Sequence, residues 1–360
     1  MRFIKWSLGL IALLALSSYS LLMLPAVQDR LIDKVIRKNV DNSAAQALFN
    51  DDAMRLLVCG SGSPLPHKTR ARPCLAVIAG GKFYVVDTGP GSWNQLALRR
   101  IPGERIGAIL YTHFHSDHIG ELGEFNMQTW VAGRPAPLPV YGPAGVERLV
   151  AGYREAYALD NGYRTAHHGA ALLPPERGEM LAQRLELPAD GHRVPAFEDG
   201  ELKVSVFAVH HEPIEPAVGY RFDYKGRSLV ISGDTRRDER MIAAAQGADV
   251  LAHEAQSQHL VARMQALAAE GGRPRIAKIF GDIPSYHTSP VEAAELANAA
   301  QVPLLLLYHL TPSPPNRIAE RVFMRGVKEM RPRGVAVADD GTLITLPLAG
   351  GAPKVGRFDP

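Results

Sequence analysis

The stretch that decides the reading is GAILYTHFHSDHIG, residues 107–120. Gly107–Thr112 is a short, β-rich apolar run, and it predicts a buried strand. His113, His115, Asp117 and His118 follow at once, four metal-capable side chains within six residues. In a turn leaving a strand, alternate side chains converge on one side. His113 and His115 are placed to share one ion, while Asp117 and His118 turn toward a second. Imidazole with carboxylate suits zinc, iron or manganese better than calcium or magnesium. Chance rarely puts HxHxDH behind a hydrophobic strand, so a merely solvated histidine turn is a poor rival.

A site for two ions needs ligands from elsewhere. Three later positions share one context, a polar residue at the end of an apolar strand. They are His211 after LKVSVFAVH (202–210), Asp234 after SLVISG (228–233) and His309 after LLLLY (304–308). A carboxylate has two oxygens, so Asp234 can bridge. One ion then takes His113, His115 and His211, and the other Asp117, His118 and His309. The ions would lie about 3.5–4 Å apart around a hydroxide.

Around this cluster, β-rich runs fall at 54–59, 74–79, 82–87, 202–209, 217–224, 227–232, 249–254 and 303–308, with two more near 334–347. Helical patterns fall near 92–100, 144–158, 257–270, 290–300 and 315–330. Strands then helices, twice over, suit two sheets packed face to face with helices outside. The predicted catalytic domain is 54–350. Within it 121–200, Pro-rich and without assigned ligands, is expected as a lid-like insertion.

The 360 residues carry 40 Lys+Arg, 37 Asp+Glu and 13 His, a formal net charge of +3. Interleaved signs exclude a nucleic-acid binder working by bulk charge alone. With 46% hydrophobic residues the chain is not disordered. Two cysteines, Cys59 and Cys74, exclude a disulfide scaffold and a four-cysteine zinc site. They fall on strands close in sequence and are able to pair, but two buried thiols are the expected state.

Trp6–Leu24 is a stretch without a charge, preceded by Arg2 and Lys5 and followed by Pro25. Its length and basic flank predict a membrane anchor, with a cleaved signal peptide as the rival. Residues 1–25 are therefore assigned to the anchor or signal. Residues 26–53 are read as a linker helix with Val27, Leu31, Val35 and Ile36 on one face. Both readings put the catalytic body outside the cytoplasm, in the periplasm or beyond the membrane.

With these motifs in place, the sequence resembles the metallo-β-lactamase superfamily over roughly residues 54–347. HFHSDHIG (113–120), SGDT (232–235) and LLLYH (305–309) match its ligand motifs. The nearest branch is the ribonuclease Z and arylsulfatase type. Its supporting pieces are GSGSP (60–64), VVDTGPGS (85–92), YGPAGVERLV (141–150), PAVGYRF (216–222), HEA (253–255) and YHTSPVEAAELA (286–297). The resemblance implies an α+β fold, a four-layer αββα sandwich. Two Zn2+ are the implied cofactors, with Mn2+ or Fe2+ as alternatives. His211 is preferred over His210 by its distance to Gly219-Tyr220-Arg221.

His287 lies just before Ser289-Pro290-Val291-Glu292, a capping box with Pro at the first helical position. In the resembled branch a His in this loop faces the metals and protonates the leaving group, so His287, with Asp117 and Asp234, is a candidate catalytic residue. His253 and Glu254 are read as supporting, and Asp87 as holding a ligand histidine or capping its own turn. Ala71 stands where the ribonuclease Z PxKxRN loop has Asn. Only 22 residues separate His211 from Asp234, too few for that family's tRNA-gripping arm.

The expected reaction is therefore hydrolysis of a phosphodiester or sulfate ester of a small molecule. Tyr153, Tyr157 and Lys68 are the candidate substrate contacts. Nucleic acid is ranked low, and a homodimer is compatible. The alternatives are a ribonuclease Z-like tRNA 3′-end endonuclease, a lactone or β-lactam hydrolase, and a membrane-tethered metal-binding module without hydrolysis.

Overall fold

Met54-Arg55-Leu56-Leu57-Val58-Cys59 offers side chains of low polarity to both faces of a strand. Such a strand is stable only between two layers. The computed structural model, which describes residues 14–16 and 18–360, places it so. Met54, Leu56 and Val58 face one core and Leu57 and Cys59 another.

The strands are β1 (Met54–Gly60), β2 (Cys74–Ala79), β3 (Lys82–Val86), β4 (Ile106–Leu110), β5 (Leu138–Gly142), β6 (Met180–Arg184), β7 (Val194–Asp199), β8 (Leu202–Ala208), β9 (Val218–Tyr224), β10 (Arg227–Ile231), β11 (Val250–Gln256), β12 (Leu304–Thr311), β13 (Val335–Val337), β14 (Thr342–Leu346) and β15 (Lys354–Arg357). One sheet runs β15-β14-β1-β2-β3-β4-β5-β6 and the other β13-β12-β11-β10-β9-β8-β7. The inter-sheet core holds Tyr84, Tyr220, Phe222 and Tyr308. Helices Ser92–Leu98, Leu122–Val131 and Val146–His168 cover the first sheet through Leu96, Phe125 and Val150. Helices Arg240–Ala245 and Pro290–Ala299 cover the second through Met241 and Leu296. This is the expected αββα sandwich.

Several expectations need correction. Residues 121–200 do not stand apart as a lid, for they supply β5 and β6 to one sheet and β7 to the other. The helix expected at 144–158 continues to His168, because nothing stops it before Gly169, at φ 87°. A helix at Pro274–Asp282 and the edge strand β15, beyond residue 350, were not expected. Cys59 and Cys74 are not free thiols but form a disulfide. The register between β1 and β2 sets Cys74 opposite Gly60, across an irregularity at Cys59, which brings the two sulfurs together.

The N-terminal membrane segment is not shown either. Among the described residues no helix is long and apolar enough to cross a membrane. Residues 6–13 and 17 of the expected span lie outside those described. The chain divides into two compact units, Met1–Ala44 and Ala45–Pro360. The first contains the helix Pro25–Val40, which has no buried residue and begins with Pro at its first turn.

Candidate metal centre

The metal-capable side chains leave the C-terminal ends of strands along one edge of the sandwich. His113–His118 follow β4, His211 follows β8, Asp234 follows β10, and His309 lies near the end of β12. His309 gets there by a local irregularity. In the β11–β12 ladder Glu254 pairs with Tyr308 and Ala255 with Leu310, so His309 is an extra residue, a bulge. Its φ is +46°, a conformation ordinary side chains avoid. Asp87, just after β3, has φ +61°. Two such residues in one site are held there by the packing around them.

The donor atoms come together as two groups, His113, His115, His211 and Asp234, and Asp117, His118 and His309. Asp234 is common ground. Its Oδ2 lies 3.2 Å from His309 Nε2, 3.4 Å from His118 Nε2, and 4.0 Å from both His113 Nε2 and His211 Nε2. All of these except His115 are buried. His118 Nε2, His211 Nε2, His309 Nδ1 and Asp234 Oδ1 have no hydrogen-bond partner. Buried polar atoms left unpaired are costly, and His118 Nε2, His211 Nε2 and Asp234 Oδ1 left so within one cluster of imidazoles and carboxylates fit a divalent cation.

In His118 and His211 the opposite ring nitrogen is occupied, which fixes the orientation of those rings. His118 Nδ1 donates to Asp87 Oδ2 at 2.8 Å. His211 Nδ1 donates to the Tyr286 carbonyl at 2.9 Å. Asp87 also accepts from Thr112, through the backbone N at 2.9 Å and Oγ1 at 2.8 Å. So Asp87 holds a ligand rather than merely ending its turn. Burial lowers the pKa of His211 to about 4 and that of His113 well below its ordinary value. Both are thus neutral and available as ligands at neutral pH. Asp234 resists the upward push of burial because His309 and His118 lie beside it, and its pKa falls well below the carboxylate range.

His287 sits at the rim, in the loop before the capping box at Ser289, which is formed as the sequence indicated. It joins Asp234 and His309 in a third group of donors. Its Nδ1 donates to Glu254 Oε1 at 2.9 Å. The same oxygen accepts from the backbone N of Thr288 at 3.1 Å and of Thr235 at 3.2 Å. Burial pushes the His287 pKa down, but the Glu254 carboxylate outweighs it and the net shift is upward. His253 is fully buried and its Nδ1 donates to the Glu254 carbonyl.

Of the two adjacent histidines, His211 turns into the cluster, while His210 stays at the surface and pairs with Glu212. Tyr153 and Tyr157 do not join the donors. Tyr153 Oη donates to the Ile119 carbonyl, and the Tyr157 ring packs where a side chain on Gly123 would stand. Both fasten the helix Val146–His168 to its neighbour. Lys68 is exposed on the loop between β1 and β2. Tyr286 and Thr112 are absent from the sequence-derived set because they act through a backbone carbonyl and a hydroxyl, which carry no motif.

A match to the Beta-lactamase superfamily domain covers residues 83–310, most of the chain and every donor above. The chain belongs to the beta-lactamase superfamily. It is 33% identical over 266 residues to a ribonuclease Z of Mycobacterium bovis, covering 72% of this chain and 87% of that one. It is also 33% identical to a ribonuclease Z of a Mycobacterium species over 293 residues, 80% of this chain and 94% of the relative. In fold, this superfamily member is similar to human tRNase Z, short form, with TM-score 0.58, 20% identity and coverage of 81% and 99%. A Bacillus subtilis metallo-beta-lactamase fold protein, YhfI, gives TM-score 0.58 at 19% identity, covering 82% and 100%.

These relatives overturn the small-molecule ester reading, its arylsulfatase form, and the low rank given to nucleic acid. The ribonuclease Z-like alternative fits better. A near-neutral net charge misled because it averages over the surface and says nothing of local patches.

Proposed function

We propose that the protein is a metal-dependent phosphodiesterase that cuts RNA in the manner of ribonuclease Z, with precursor tRNA as the substrate class. The observation that carries the reading is the shared carboxylate of Asp234 between two donor groups, with His287 hung beside them on Glu254. The ribonuclease Z relatives supply the substrate class.

The proposed cofactor is a pair of divalent ions, zinc in the first instance. His113, His115 and His211 would hold one, Asp117, His118 and His309 the other, and Asp234 both. When bound, such a pair supplies Lewis acidity and a water of lowered pKa. The protein's own groups do the rest. Asp87 and the Tyr286 carbonyl keep His118 and His211 facing inward. Glu254 Oε1 accepts the hydrogen bond from His287 Nδ1–H, which leaves Nε2 toward the cluster. With its pKa raised, His287 keeps a proton there near neutral pH and gives it to the departing ribose oxygen.

His287→Ala tests this role. Proton donation matters most for a basic leaving group, so cleavage of RNA should fall by roughly 10²–10⁴-fold. Bis(p-nitrophenyl) phosphate, whose leaving group needs little help, should lose far less, with metal content unchanged. Equal losses on both substrates would remove His287 from the acid role. Failure of the fully metal-loaded wild type to cut precursor tRNA would remove the functional reading itself.

A further inference from the structure

Between β11 and the His287 loop the chain makes an excursion that the site does not use. Helix Gln258–Glu270 runs out, turns at Gly271-Gly272, and helix Pro274–Asp282 runs back. Gly272 has φ +66°, and the Arg273 backbone N closes the turn onto the Ala268 carbonyl at 2.8 Å. Val261 and Ala277 are buried, and Gly281 lets the returning helix approach Gln265. At 1.5 Å per residue the two helices extend about 13–20 Å from their base.

The base of this hairpin is the metal centre. On one side the Gln256 backbone N bonds the Thr288 carbonyl at 2.8 Å, and Ser257 N bonds the Thr311 carbonyl at 2.8 Å. On the other, Ile283–Ser285 leads into Tyr286, whose ring lies 5.0 Å from that of His211 and 4.9 Å from that of His287. What the hairpin presents is positive. Residues 258–282 carry Arg263, Arg273, Arg275 and Lys278 against Glu270 and Asp282. Lys278 and Asp282 neutralise each other. Arg263, Arg273 and Arg275 are exposed and, among the described residues, none has an acidic partner. Two of the three stand at the tip.

We propose that this helical hairpin is an RNA-binding arm. Arg263, Arg273 and Arg275 would grip backbone phosphates of the substrate on one side of the scissile bond, while the metal centre holds the bond itself. The proposal rests on the RNA reading above and adds where the strand leaves the site. Guanidinium forks suit phosphate oxygens, and such contacts position a strand without reading its sequence.

The test is the triple variant R263Q/R273Q/R275Q, assayed on labelled precursor tRNA across a salt series and on bis(p-nitrophenyl) phosphate, which is too small to reach the arm. Each lost phosphate contact should flatten the log–log salt dependence of RNA binding by about 0.7–0.9, hence about 2–3 for the three. KM for RNA should rise roughly tenfold or more at moderate salt, with kcat and small-diester turnover kept. The single tip variant Arg273→Glu, at an exposed turn position, should shift the same readouts in the same direction if the triple variant folds poorly. RNA that is cut and bound by the variants as by wild type, with the same salt slope, overturns the arm. A wild type that turns over the small diester but neither binds nor cuts RNA overturns both the arm and the RNA reading.

Discussion

Asp87→Asn should weaken metal binding with the backbone left in place. Asn tolerates positive φ nearly as well as Asp, so the +61° conformation survives the change. What changes is the count of acceptors. In wild type both carboxylate oxygens accept, Oδ1 from Thr112 N and Oδ2 from Thr112 Oγ1 and His118 Nδ1. An amide has one acceptor oxygen. If it stays on His118, the Thr112 N–H faces an NH2 group and a buried donor goes unpaired, at about 1–3 kcal/mol. If it stays on Thr112, His118 must carry its proton on Nε2, the nitrogen that faces the cluster. That ring then no longer offers a lone pair to an ion. Loss of such a supporting contact typically lowers metal affinity about 10–100-fold. The assay is competition for zinc against a chromophoric chelator, with thermal melting of the metal-free protein alongside. Asp87→Gly separates the causes, since it relieves the backbone but removes the acceptor altogether and should bind metal no better than the Asn variant. An Asn variant with wild-type affinity and wild-type melting would refute the assignment of Asp87 as the support of His118.

Asp234→Asn should cut metal content and RNA cleavage together, because Asp234 Oδ2 lies within 4.0 Å of His113, His118, His211 and His309; a variant with full metal and full turnover would refute the shared carboxylate. In chelated protein His211 resists protonation, with its pKa at about 4 against an ordinary 6.5. The unfolded chain therefore binds this proton as pH falls from about 6.5 to 4 and the folded chain does not, so His211 costs the metal-free fold on the order of 3 kcal/mol by pH 4. Chelated His211→Gln should accordingly gain stability over chelated wild type through that window, read by urea unfolding, and a constant difference would contradict the buried neutral ring. Alkylation of denatured protein should label no cysteine without reductant and both Cys59 and Cys74 with it; labelling without reductant would deny the disulfide.

The HxHxDH run was legible because its chemistry is packed into six residues behind one strand. His211, Asp234 and His309 were legible because each ends an apolar run that can only be a buried strand. His211 and His210 are chemically the same in sequence, and only the path of the chain past β8 decides which turns inward. The outgoing helix of the basic hairpin was visible, but Gly271-Gly272 reads equally as an end or a turn. The returning helix, with Pro274 at its start and Ile276, Ile279 and Phe280 at helical spacing, carried a signal that the glycines obscured. Tyr153 and Tyr157, candidate substrate contacts from sequence, lie against Ile119 and Gly123, while Tyr163 of the same helix is exposed. The Tyr286 carbonyl that orients His211 is a backbone group, and no residue identity encodes it.

The extra residue at His309 changes what an insertion or deletion means along β12. Before it, Leu304, Leu306 and Tyr308 face the inter-sheet core, and Leu305 and Leu307 face the helices. After it, Leu310 joins the odd-numbered set on the helical side, whereas an unbroken count would have sent it to the inter-sheet core, so the bulge at His309 reverses the alternation beyond it. Removing His309 would make the ladder regular and cheaper in backbone energy and leave Leu310 on its present face, yet withdraw an imidazole from the cluster. The regular strand is thus a near neighbour in sequence space that folds at least as readily and lacks one donor of the cluster, so selection must hold a length, not only a set of side chains.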